Sequence, residues 1–90
     1  VEVLSEIGMH EGLSKKDAKA LALETVIGSA RLLEISNIDP KVLKKNVTSP
    51  GGTTEAGLEV LASYNDGLYD LLEKTIINAK NRALELNSNG

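Results

Sequence analysis

The chain has no cysteine, no tryptophan and no phenylalanine among its 90 residues. Without thiols it forms neither a disulfide nor a thiolate metal site. Tyr64 and Tyr69 are its only aromatic residues, so a core has to come from Leu, Ile, Val and Ala. Charge of one sign is also scarce. The net charge is −3 at pH 7, and Lys15-Lys16 and Lys44-Lys45 are the only paired cations. A nucleic-acid binder normally presents a basic face. Both pairs read instead as solvated helix ends, and nucleic acid is not an expected partner. No apolar run approaches the roughly 18 residues that a bilayer span requires, so no membrane partner is expected. No secretory signal is read in the chain.

What is present is ordinary in amount, with 41% apolar residues. The length suits one domain. A chain this short buries only about 60–65% of its unfolded surface. Each buried Leu or Ile contributes about 1.5–3 kcal/mol. So small an aliphatic core is marginal for a free monomer, and association with a second copy is the expected remedy. Val1 already lies inside an apolar pattern with no Met before it. That reads as a cut within or near a helix.

Periodicity predicts helices throughout. Val1, Leu4 and Ile7 have helical spacing, and Gly8 and Gly12 frame the end of that first segment. Ser14-Lys15-Lys16-Asp17 is a capping-box-like start for a helix running from Lys15 to about Ser36. Its apolar residues cover more than one stripe, so contact on several sides is expected. Gly28 sits mid-helix at a cost of about 1 kcal/mol against Ala, which suggests close approach of another backbone. Asp39-Pro40 starts a short helix ending near Asn46. Another helix starts at Thr53 or Thr54 and runs to about Ser63. Asn65 or Asp66 caps the last, in which Leu68, Leu71, Leu72, Thr75, Ile76, Ala79, Ala83 and Leu86 repeat at three and four residues. The polar residues 87–90 are expected to fray, leaving residues 1–86 as the folded domain. No strand pattern or internal repeat is found, and the connections are short. The expected fold is an all-α helical bundle.

Few residues could carry chemistry. His10 has no partner nearby in sequence and reads as a solvent-facing residue at a helix end. No carboxylate spacing suggests a metal site, and neither a dinucleotide fingerprint nor a Walker loop is present. One segment stands apart: Ser49-Pro50-Gly51-Gly52-Thr53-Thr54, directly before a helix. Pro50 holds Ser49 out of helical geometry. Gly51 and Gly52 open turn conformations and leave no side chain over the backbone. Thr53 and Thr54 add hydroxyls, and the first N–H groups of the helix favour an anion in the same space. Glu55 is a nearby negative charge that weakens such a site unless it points away. On the residues alone, an anion site and a plain Gly-Gly turn are both open.

The stretch Asn46-Val47-Thr48-Ser49-Pro50-Gly51-Gly52-Thr53-Thr54, with Ala56-Gly57-Leu58 and Leu61 after it, resembles the signature of the pyrroline-5-carboxylate reductases. Gly12-Leu13, the Ala18-to-Thr25 stretch, Gly28-Ser29-Ala30, Pro40 and Leu43 extend the likeness over nearly the whole chain. The resemblance implies an oxidoreductase that reduces 1-pyrroline-5-carboxylate to L-proline in proline biosynthesis, in the cytoplasm. It implies NADPH or NADH bound by an N-terminal Rossmann domain that this chain lacks, so that the chain alone binds no cofactor, holds no catalytic residue and is inactive. It implies a C-terminal helical domain interlocked with a second copy as a homodimer or higher homo-oligomer. In that family the substrate carboxylate rests on this turn. Ser49 and Thr54 would bind it through hydroxyls, and Gly52 and Thr53 through backbone N–H groups, with Gly51 completing the set. Hydride transfer to a protonated imine needs little acid–base help, so the domain's work would be positioning. Two other readings compete: a non-catalytic helical oligomerisation module, and a relative acting on a different anionic substrate.

Overall fold

The computed structural model describes residues 1–89, which contain five helices and no strand. The all-α class expected from the sequence is the one observed. Contacts divide the chain into two compact units, Val1–Leu43 and a second that begins at Lys44.

In the first unit, α1 (Glu2–His10) packs on α2 (Lys15–Ser36). The start of α2 is built as the sequence suggests: Ser14 Oγ accepts the Asp17 N–H at 3.1 Å. Gly12 takes φ +106° in the connection, a conformation that suits glycine. Gly8 lies within α1 rather than at its end. A Cβ there would stand 3.2 Å from Ala18 Cβ and 3.3 Å from Leu13 Cδ1, so glycine is what lets the two helices approach. Ala18 and Ala22 are the buried residues at that contact. At its other end α2 closes with Asn37 in the left-handed region, φ 53°.

Two expectations are corrected here. Among the described residues nothing outside α2 itself comes within 4 Å of a Cβ built on Gly28, so no other element of this chain makes the predicted approach. The large aliphatic residues also fail to form an interior. Leu21, Leu32 and Ile35 are 55%, 53% and 72% exposed, and among the described residues no large side chain is fully buried. The reason is geometric. Apolar residues on several faces of α2 meet only one packed neighbour, α1, which covers one stripe.

The short helix α3 (Pro40–Asn46) bridges the boundary between units, and Asp39 Oδ1 accepts the Lys41 N–H at 2.8 Å to cap it. In the second unit, α4 (Thr53–Leu61) leads through a tight turn into α5 (Leu68–Asn89). Ser63 Oγ donates to the Asn65 carbonyl at 2.9 Å, and Asp66 takes φ 63°. Neither Asn65 nor Asp66 makes a side-chain capping bond among the described residues. The carbonyl of the buried Gly67 accepts from Leu71 N–H at 3.1 Å instead. Along α5, Asp70 pairs with Lys74 and Arg82 with Glu85, both at 3.0 Å. α5 extends through Asn87, Ser88 and Asn89, and Ser88 Oγ donates to the Leu84 carbonyl at 2.9 Å. The remaining tail residue, Gly90, lies outside the described residues.

Candidate carboxylate-binding turn

Between α3 and α4 the chain must leave one helix and start another within six residues. Thr48 ends the first helix, its N–H bonding the Lys45 carbonyl at 3.1 Å and its hydroxyl bonding the Lys44 carbonyl. Ser49-Pro50-Gly51-Gly52 then closes on itself, with the Gly52 N–H donating to the Ser49 carbonyl at 3.0 Å. Pro50 at the second position and Gly51 at φ +72° at the third have the pattern of a type II turn. Gly52 is extended, at φ −86° and ψ 177°, and serves as N-cap of α4. A Cβ on Gly52 would lie 2.7 Å from Ser49 Oγ and 3.1 Å from the Ser49 carbonyl oxygen. Ser49 is therefore folded back over Gly52, and a side chain there would push its hydroxyl aside.

The helix start is open. Gly52 offers no side chain, so α4 has no side-chain cap. The cap is this glycine rather than a threonine, and Thr53 is the first helical residue. The amides of Thr53, Thr54 and Glu55 have no intrahelical acceptor by position, and they have none elsewhere among the described residues. The hydroxyls of Ser49, Thr53 and Thr54 are likewise unpaired among the described residues. Ser49, Gly51 and Thr53 are exposed, and Gly52 and Thr54 are half-buried. The five residues singled out in the sequence lie in this turn and the first turn of α4. Their division of labour differs from the expectation at Gly52. Its N–H is used inside the turn, so the open amides are those of Thr53, Thr54 and Glu55.

Glu55 is the residue whose part was missed. Its Oε1 accepts the Gly51 N–H at 3.3 Å. A glutamate at the third helical position reaches back to a free amide as in a capping box, but here it takes the Gly51 N–H, one residue before the N-cap Gly52; its place in the first turn of α4 was the signal available in the sequence. Its charge does not point away from the turn but sits on it.

His10 ends α1 and is exposed. Among the described residues no cluster of His, Asp and Glu could hold a metal ion, and no helix is long and apolar enough to cross a membrane.

The family model described as pyrroline-5-carboxylate reductase dimerisation matches residues 1–86. The chain belongs to that family. Among its relatives, the pyrroline-5-carboxylate reductase of Aquifex aeolicus is 44% identical over 82 residues, 89% of this chain and 31% of that protein. Pyrroline-5-carboxylate reductase 2 of Bacillus subtilis is 39% identical over 77 residues, covering 83% and 28%. The Pseudomonas aeruginosa pyrroline-5-carboxylate reductase is 34% identical over 86 residues, covering 96% and 31%. The chain thus spans 28% to 31% of the length of these relatives. No solved structure matches it.

Proposed function

We propose that this chain is the C-terminal, dimer-forming part of a reductase converting 1-pyrroline-5-carboxylate to L-proline, and that its turn at Ser49–Thr54 grips the substrate carboxylate. The observation that supports this is the open start of α4. Among the described residues the amides of Thr53 and Thr54 and the hydroxyls of Ser49 and Thr54 have no partner, and α4 has no side-chain cap. A carboxylate there accepts charge-assisted bonds, each about twice as strong as a neutral one, and meets the positive end of the helix dipole.

The carboxylate is the one fixed charge on a small imino acid. Holding it on a rigid turn orients the ring for reaction, and the chain's contribution to rate is that positioning. The described residues do not fit a nicotinamide dinucleotide. They contain no strand and no glycine-rich dinucleotide fingerprint, so NADPH or NADH is held by another part of the full-length protein. The exposed apolar faces of α2 and α5 suit a homodimer or a larger homo-oligomer, in keeping with the family's description. A cytoplasmic location accompanies this reading.

One observation favours a second reading, a helical oligomerisation module whose turn is only a helix start. Two of the turn's amides, those of Gly51 and Gly52, are already satisfied internally. The Thr54→Ala variant of the full-length protein separates the two. Loss of a hydrogen bond to a charged group costs about 1.5–3 kcal/mol, so the KM for the imine is expected to rise about tenfold or more and that for the nucleotide to change far less. An unchanged imine KM contradicts the carboxylate grip.

A further inference from the structure

The carboxylate of Glu55 shares the start of α4 with the ligand just proposed. Its Oε1 accepts the Gly51 N–H at 3.3 Å, across the same turn whose next amides are open. It therefore acts in two opposite ways. Its oxygen adds a second tie to Gly51, a residue at φ +72° inside the turn that the Gly52 N–H closes on the Ser49 carbonyl. Its charge occupies the positive end of the helix dipole and repels a second carboxylate. Glu55 makes no ion pair among the described residues, where Lys74 and Arg82 pair with acids of α5.

We propose that Glu55 is a positioning residue that sets the strength of carboxylate binding, latching the Gly51 turn with one oxygen while its charge holds the affinity for anions down. This rests on the turn being the carboxylate site. The effect favours release of an anionic product as much as it limits capture of an anionic substrate.

The latch and the charge are separable. Glu55→Gln keeps an acceptor for the Gly51 N–H and removes the charge. Glu55→Ala removes both. In the full-length protein Glu55→Gln is expected to lower the KM for 1-pyrroline-5-carboxylate, and the inhibition constant of L-proline, by about three- to tenfold, as for like charges several ångströms apart at a protein surface. The change is expected to be larger in KM than in kcat. Glu55→Ala is expected to have a higher imine KM than Glu55→Gln, because the turn is loosened. A purely structural glutamate would show no gain with glutamine. A Glu55→Gln variant whose imine KM equals or exceeds that of the unsubstituted protein overturns the proposal, and so does a Glu55→Ala variant that matches Glu55→Gln. Thr54→Ala measured alongside keeps the two levels apart. If it leaves the imine KM unchanged, the carboxylate site itself fails. If it raises KM while Glu55→Gln does not lower it, only the role of Glu55 fails.

Discussion

Three glycines of the second unit are required for three different reasons. Gly51 is needed for its positive φ, Gly52 for the space that Ser49 fills, and Gly67 for the backbone it touches. A Cβ on Gly67 would overlap the Ser63 carbonyl oxygen and stand 2.9 Å from that of Leu61. Main chain cannot rotate away as a side chain can. Gly67→Ala is therefore expected to destabilise the protein by more than Gly51→Ala, for which the left-handed conformation alone costs about 1–2 kcal/mol. Denaturant midpoints of the two variants check the order. Gly52→Ala meets mainly the Ser49 hydroxyl, which can swing out. Its expected effect is a modest loss of stability with a clear rise in the imine KM, since the displaced hydroxyl belongs to the proposed grip.

The helices themselves are held by short-range signals. Ser14→Ala removes the cap of α2 and is expected to cost about 1 kcal/mol, measurable as a lower unfolding midpoint. Such signals were legible because they act within three or four residues. Ser14 with Asp17, Asp39 with Pro40, and the three-and-four spacing from Leu68 to Leu86 each specify their element locally. The Ser49–Thr54 turn was legible for the same reason: Pro and Gly set its backbone, whatever surrounds it. Features that depend on other elements were not. The role of Gly8 follows from Ala18 lying against it, and the engaged Gly52 amide follows from where the Ser49 carbonyl points. The cap of α5 was assigned to a polar side chain, but the buried backbone at Gly67 left only a glycine there. Propensity likewise predicts a polar tail after Leu86, while α5 extends to Asn89.

At the scale of the whole molecule, the aliphatic residues that composition assigned to a core are at the surface of the single chain. Leu72 and Ile76 are 48% and 64% exposed on the apolar stripe of α5. A surface Ile changed to Glu on a true monomer usually shifts stability by no more than about 0.5 kcal/mol. In a dimer it places a charge in a buried interface. Ile76→Glu is expected to convert the full-length protein from dimer to monomer in size-exclusion chromatography with light scattering. A monomeric, folded protein before any substitution contradicts the assembly proposed here.

The central claim concerns two main-chain amides and what they hold. A crystal structure of the full-length protein soaked with L-proline tests it most directly. The account predicts the proline carboxylate within about 3 Å of the Thr53 or Thr54 nitrogen, the ordinary N–H···O distance, with a hydroxyl of Ser49 or Thr54 alongside. Proline bound elsewhere, with those amides facing only water, contradicts it.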